Sequence, residues 1–554
     1  MAPILPGDKI DDGIFKAATA LHVASDWLCH STEPSTQQEF YDSLQNVEAV
    51  DMFISHSWSD PAWMKFLSLC QFLNFNKAIL SAFSMSLGSA LILLMHAGSV
   101  SELHNSFAGT GLLSWFLCYL PVAVFFLVYF LGHTLSRRTF WFDRICVHQE
   151  NLDLKAKTID ALPHFVANSR EMLILLDETY LERLWCNLEV AVFSTTHSAD
   201  PNAMHLMPSW LPVWVLSTVV TDFLALVIMI SNYPTPTMEG SEGVEQELDR
   251  SAFIRETFLA WWSPTAIYAI YALPSFVLPF RRLQLHDTLL ARMAAFDHRD
   301  AKCKVESDRA IIMSHIANLA EGYWDPLVSV EFGGYESPAE NAPLVTSNTR
   351  SSEPSIHAGR FHATEEVMLD EFNAYIRGPM RDKLEYAVGG EIMIPWTLSA
   401  SVSMPFVLGQ VLLTFDCEFG QCEVAAQREG FASADQYFIC NIIANVVLCL
   451  LSAPQLQPLL LRMLRFIRAN IQNVCLQYIL GAVGAFLVYN YVFGLSAAVG
   501  ANVLVNIAGG PRPESCLVAC LGVIYIMLQG VALFSDGKAI FSNCLALRGR
   551  FCRS

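Results

Sequence analysis

Two charge-free apolar runs, residues 78–97 and 111–131, sit inside what otherwise reads as the sequence of an α/β sheet domain. Each lacks Lys, Arg, Asp and Glu and is about the 20 residues needed to cross a bilayer. They form a membrane hairpin, and an even number of crossings returns the chain to the side it left. Segments before and after the hairpin can therefore pair into one sheet. Upstream, Asp51–Ser55 (DMFIS) reads as a short strand. Asp60 before Pro61 is a good helix start, because Pro tolerates the first helical position and Asp accepts from the orphan amides. That spacing predicts a helix from Pro61 to about Asn76. Downstream, TFWFDRICVHQ predicts a second strand over 140–147 with Asp143 inside it. Residues 158–169 read as helical, and EMLILLDETYLERLWCNLEVAVFS gives a third strand, Met172–Leu176, and a helix opening near Thr179–Tyr180. On that helix Glu182, Trp185 and Glu189 fall three or four apart and are expected to share one face.

Further charge-poor runs lie at about 209–230, 257–280, 392–415, 438–454, 477–497 and 516–534, which gives eight spans with the hairpin. Of the 554 residues, 53% are hydrophobic and 16% charged, against a usual charged fraction of about 25% in soluble chains. The expected class is an α/β flavodoxin-like cytosolic domain split by a transmembrane hairpin, joined to an α-helical multi-pass membrane domain. A net charge of −19 without a concentrated basic face excludes a nucleic-acid binder; the partner implied by composition is the lipid bilayer. No basic region followed by an apolar run opens the sequence, so residues 1–50 are expected to stay in the cytosol. With both termini inside, the four outside loops hold only Arg250, Arg255, Arg428 and Arg512 of the 34 Lys and Arg, in line with the positive-inside rule. Clusters such as Arg281-Arg282 and Arg462/Arg465/Arg468 then read as topology anchors.

The expected organisation is an N-terminal segment (1–50), a split domain (51–76 and 139–196) and the hairpin (78–131). Spans three and four (209–280) follow, then a cytosolic segment (281–391), spans five to eight (392–534) and a tail (535–554). Within the cytosolic segment, 284–322 reads as helical with Ile311, Ile312, Ile316 and Leu319 as an apolar stripe. Residues 333–360 read as a flexible linker, and 363–387 as an amphipathic helix broken at Gly378-Pro379. The 15 cysteines are scattered and read as small buried hydrophobes, apart from Cys417 and Cys422 in an expected outside loop where they could oxidise. No zinc-like spacing occurs, so no metal is assigned.

FISHSWSD (53–60), WFDRICVHQ (141–149) and LLDETYLERLWCNLE (175–189) resemble, in order and spacing, the Toll/interleukin receptor (TIR) domain. The matching pieces are its strand-A motif, its strand-B segment and its W-C-x-x-E helix. The middle piece is also similar to the W-x-D-x-x-C-x-x-Q segment of fungal heterokaryon-incompatibility domains. The resemblance implies a flavodoxin-like sheet and, as in many relatives, cleavage of NAD at the nicotinamide glycosidic bond. Glu189 would be the catalytic carboxylate, with Ser55, His56, Ser57, Asp143, Arg144 and Trp185 around the nucleotide; NAD would be substrate, and no cofactor is required. The chain departs from the pattern with Gln149-Glu150-Asn151-Leu152 in place of a Pro-Gly loop. It also lacks a clear fourth or fifth strand before the next span.

Three functions follow as expectations. One is a membrane-anchored TIR-like signalling module that associates with its own kind or another cytosolic protein. The second is an NAD-cleaving hydrolase using Glu189, whose carboxylate could stabilise an oxocarbenium-like centre or merely anchor the helix to strand A. The third is a transporter or channel with Asp222, Asn441, Asn445 and Asn490 lining a path, since an intramembrane carboxylate is costly.

Overall fold

A computed structural model describes residues 13–28, 41–100, 102–103, 111–148, 150–198, 200–232, 250–303, 365–390, 392–420 and 430–534. It also describes residues 309, 312, 313, 316, 423, 426 and 427. The linker at 333–360, the Cys417–Cys422 pairing and the tail lie outside what it describes. The chain divides into two compact units. Unit 1 comprises Met1–Phe66, Ser136–Ser209 and Thr288–Leu384; unit 2 comprises Leu67–Leu135, Trp210–Asp287 and Glu385–Ser554.

Unit 1 is built on a six-stranded sheet of β1 (Lys16–Thr19), β2 (Gln45–Asn46), β3 (Val50–His56), β4 (Thr139–Trp141), β5 (Ser169–Leu176) and β6 (Met204–Pro208). Their order across the sheet is β2-β1-β4-β3-β5-β6. The run from β4 to β6 is parallel, and β1 and β2 add an antiparallel edge. The middle strands are apolar almost throughout because both faces are covered: Met52 to His56 and Met172 to Leu176 are all buried, as expected for parallel sheets. The helices of this unit include α1 (Ala20–Leu28), the start of α2 (Ala62–Ala97), α3 (Leu152–Asp160), α4 (Leu162–Ala167) and α5 (Leu184–Thr196).

Pairing across the hairpin is held at its first residues. Thr139 donates from both its amide and its hydroxyl to Asp51 Oδ2, each at 2.9 Å, and the Asp51 amide donates to Thr139 Oγ1 at 2.9 Å. Deeper in, Phe53 faces Trp141 in the β3–β4 register, and the two rings stack at 4.7 Å.

Several expectations are corrected. The second strand is Thr139–Trp141, not 140–147: Phe142 ends it in extended geometry and Asp143–Cys146 makes one helical turn. Asp143 Oδ1 accepts from the Arg144 amide at 2.6 Å, a local bond that draws Asp out of a strand and into a helix start. A fourth parallel strand does exist, β6, five residues long and followed almost at once by the next long helix. The N-terminal segment also joins the sheet, through β1 at Lys16–Thr19, which runs directly into α1. The helix predicted to stop near Asn76 runs unbroken to Ala97. Gly378-Pro379 does not break its helix; the chain absorbs the proline in a π-turn, Ile376–Met380.

Unit 2 is helical. Among the described residues, six helices are long and apolar enough to cross a membrane, or up to eight when two bent pairs are each taken as one span, as in a multi-pass membrane protein. In the hairpin, Asn74 Nδ2 donates to the Tyr129 carbonyl at 2.9 Å, and the Tyr129 hydroxyl donates to Gln71 Oε1 at 3.1 Å. Leu80, Leu87, Ile92, Met95, Leu127 and Leu131 point outward on the same two helices. An apolar outward face of that extent is what lipid covers.

Arg282 is a further correction to the topology-anchor reading. It is buried, stacks over Trp210 and Trp214 at 5.3 and 5.5 Å, and donates to the carbonyls of Val388 and Met393. The loop it holds needs Gly389, at φ +88°, because a Cβ there would collide with the Met393 carbonyl. Gly389→Ala and Arg282→Ala should each destabilise by about 2 kcal/mol or more. The expected readout is a drop of several degrees in apparent melting temperature of the detergent-solubilised chain; unchanged melting would show that this loop is not a stabilising feature.

Candidate functional site

The carboxyl ends of β3 and β5 and the segment after β4 converge on one edge of the unit 1 sheet. In open α/β sheets this is the edge where ligands bind. Side chains alternate along a strand, so Ser55 and Ser57 face one way and His56 the other. Two polar groups form from this alternation.

On the first side, Ser55 Oγ donates to Glu189 Oε2 on α5 and lies 2.6 Å from the Tyr180 hydroxyl. Ser57 Oγ donates to Asp177 Oδ2, directly after β5. Thr179 donates to Asp177 through its amide at 2.7 Å, and its hydroxyl sits 2.6 Å from Ser59 Oγ. The β3 and β5 loops are thus laced to each other. Asp60, beside them, has its carboxyl pushed up by burial and by the nearby Asp177.

On the other side, His56 Nε2 lies 3.9 Å from Asp143 Oδ1, with the ring against Phe142 at 5.0 Å. Burial, with Lys65 and Arg144 nearby, holds the imidazole well below its usual range, so His56 is neutral at physiological pH. Asp143 is pushed up to about 6, chiefly by burial, while the Arg144 amide, Lys65 and the Trp58 indole N–H favour its charged form. The sulfur of Cys186 donates to the His56 carbonyl at 3.5 Å, and burial pushes that thiol far up, which leaves it unreactive.

Glu189 is the most perturbed carboxyl of this edge. Part of its side chain reaches solvent, yet the surroundings of its carboxyl are protein. Burial, added to by Asp143, pushes it up to about 8 against the opposing pull of Ser55. At pH 7 it is mostly a neutral acid, suited to donate a proton or to anchor, and poorly suited to stabilise a cation.

The structure therefore brings together five of the expected residues: Ser55, Ser57 and Glu189 on one side, His56 and Asp143 on the other. Arg144 leaves the group, its guanidinium 3.2 Å from Asp26 on α1. Trp185, half-buried on the first turn of α5, enters neither group. Glu182 does not share the face of Glu189: α5 opens only at Leu184, and Glu182 sits in the preceding 3-10 turn, bound to Lys302 at 2.6 Å and Arg292 at 3.0 Å. His148 accepts from the Glu150 and Asn151 amides and so caps the turn before α3. Tyr180, Asp177, Thr179 and Trp58 were missed. The available signal was position, since polar residues directly after a buried parallel strand lie at its ligand-binding end.

Among the described residues, no group of three or more His, Cys, Asp or Glu is placed to hold a metal ion. The chain matches no family model, no curated protein and no solved structure.

The raised Glu189 carboxyl fixes a pH dependence. Its folded value lies above its unfolded one, so its contribution is fully present below about pH 4.5 and is lost as pH rises through about 8. Asp143 adds a loss of the same sign ending near pH 6. Glu189→Gln, which cannot ionise, should flatten this decline and melt several degrees above wild type near pH 8.5 relative to pH 5. Parallel melting curves for the two proteins across that range would contradict the assignment.

Proposed function

We propose that unit 1 is a membrane-anchored, TIR-like contact module that signals by associating with a second copy or another cytosolic protein. The parallel strands supply one support: taken in chain order, they lie second-first-third-fourth across the sheet, the doubly wound flavodoxin-like order. The observation that carries protein contact over catalysis is the state of the polar groups at the strand ends. Ser57 with Asp177, Ser59 with Thr179, and Ser55 with Tyr180 and Glu189 satisfy one another. Beside them stand two exposed indoles, Trp58 at 57% and Trp63 at 51% exposure. Tryptophan is the residue type most enriched among interface anchors.

NAD cleavage is the second reading. It is favoured by one specific observation, the displaced Glu189 carboxyl near Asp143 at a ligand-binding edge. The two readings separate in full-length protein reconstituted in nanodiscs. Two differently tagged copies should co-capture, and Trp58→Ala/Trp63→Ala should weaken that capture by about tenfold or more. NAD incubated with wild type and with Glu189→Ala should be recovered equally. NAD loss that disappears in Glu189→Ala would replace the contact module with a hydrolase.

A further inference from the structure

Unit 2 buries a carboxyl that no cation faces among the described residues. Asp222 lies within α6 (Trp210–Asn232) and is 2% exposed. The hydroxyls of Tyr268 on α7 (Arg250–Tyr271) and Tyr489 on α9 (Val474–Ala508) face it, and both tyrosines are fully buried. Tyr489 also shares a hydrogen bond with Ser275 Oγ at 3.0 Å. Asp222 Oδ1 and the Tyr268 hydroxyl make no hydrogen bond of ordinary geometry, although the Tyr268 and Tyr489 hydroxyls lie close to the carboxyl. The titratable groups on the facing helices are Tyr268 and Tyr489, with Cys449 beyond Tyr268; among the described residues no Lys, Arg or His faces the carboxyl.

Both bent spans meet at this cluster. One turns by 58° at Ala272, between Tyr268 and Ser275. The other turns by 56° at Ser403, just before Phe406, whose ring packs on Tyr268 at 5.1 Å. Farther along that second helix, α8 (Met404–Gly420), Gly409 packs closely against the Leu226 side chain of α6. The next residue, Gln410, is buried with its amide nitrogen unpartnered. Orphan polar atoms are costly in a dry interior unless a ligand or a proton uses them. Ionisable side chains inside a membrane mark ion and proton routes, and broken spans are where such routes hold their sites.

We infer that Asp222, with Tyr268, Tyr489 and Ser275, is the proton-binding site of a proton-translocating membrane unit. The transfer is balanced by water. The Asp222 O–H bond breaks as water on one side accepts the proton, the electron pair stays on the carboxylate, and a hydronium ion from the other side restores the acid.

The test uses the full-length protein in sealed phosphatidylcholine liposomes that contain a pH-sensitive dye, with a potassium diffusion potential set by valinomycin. Wild type should acidify the lumen at least about tenfold faster than Asp222→Asn, and Asp222→Glu should recover part of the rate. Equal rates for wild type and Asp222→Asn overturn the proposal. If Asp222→Asn fails to elute as a folded particle, Tyr489→Phe takes its place: slower acidification than wild type supports the site, and an equal rate overturns it. Radioactive sodium uptake without acidification overturns the proton assignment. Independently, dicyclohexylcarbodiimide, which attacks protonated carboxyls in apolar surroundings, should tag Asp222 with a yield that falls as pH rises. No tag on Asp222 from about pH 5 to about pH 9 would overturn it equally.

Discussion

Everything in unit 1 depends on β3 acquiring a partner on each side. Its β5 partner lies downstream of the hairpin, and its β4 partner is the first segment after it. Without β4, β3 would present its backbone as an open edge with buried side chains on both faces, the configuration that promotes aggregation. The Asp51–Thr139 clamp makes the junction specific. It fixes register at the amino ends of the two strands with three hydrogen bonds, and Thr139, with Arg170 and Arg138 nearby, holds Asp51 as a carboxylate against its partial burial. A one-residue slip would swap the faces of Phe53 and Trp141 and dissolve their stack. Closing so long an insertion is tolerable because closure entropy grows only with the logarithm of loop length.

The alternation of β3 then decides the geometry of the candidate site. Ser55 and Ser57 are two residues apart and so reach α5 and the β5 loop, while His56 between them turns toward Asp143. A neutral imidazole beside a carboxyl raised to about 6 is not an ion pair at pH 7. The helix W-C-x-x-E stretch contributes unequally. Cys186 seals the strand, Glu189 accepts from it, and Trp185 takes part in neither. A carboxyl held mostly protonated and bonded to a serine of β3 behaves as a clasp between α5 and the sheet.

How much of this was legible in the sequence follows the length and uniformity of each segment. β3, β5 and every membrane-length helix were visible as long apolar runs, because burial on all sides removes polar punctuation. β4 was overextended: Phe142, Ile145, Cys146 and Val147 are all buried, and their apolar character does not tell a three-residue strand and a helical turn from one longer strand. β6 was hidden for the opposite reason, five residues set against a 23-residue helix. Gly378-Pro379 looked like a stop, yet a π-turn widens the helix and accommodates the proline without ending it. In the site, the residues were legible but their partners were not. Nothing in the local pattern around Arg144 points to Asp26, which lies more than a hundred positions upstream, and nothing around Ser55 points to Tyr180.

Glu189 and Asp222 make an instructive pair because composition alone would treat them alike. Each is a carboxyl placed among protein groups with tyrosine hydroxyls nearby. Glu189 has Ser55 as donor, and Tyr180 completes that bond, so its neighbourhood is satisfied in the structure as it stands. Asp222 has an oxygen that makes no hydrogen bond of ordinary geometry, with only the Tyr268 and Tyr489 hydroxyls nearby. A satisfied buried carboxyl stabilises one arrangement and resists change. An unsatisfied one is destabilising where it is. The chain breaks at Ala272 and Ser403 add to that difference, because they interrupt the regular helix beside Asp222, whereas α5 carries Glu189 without a break.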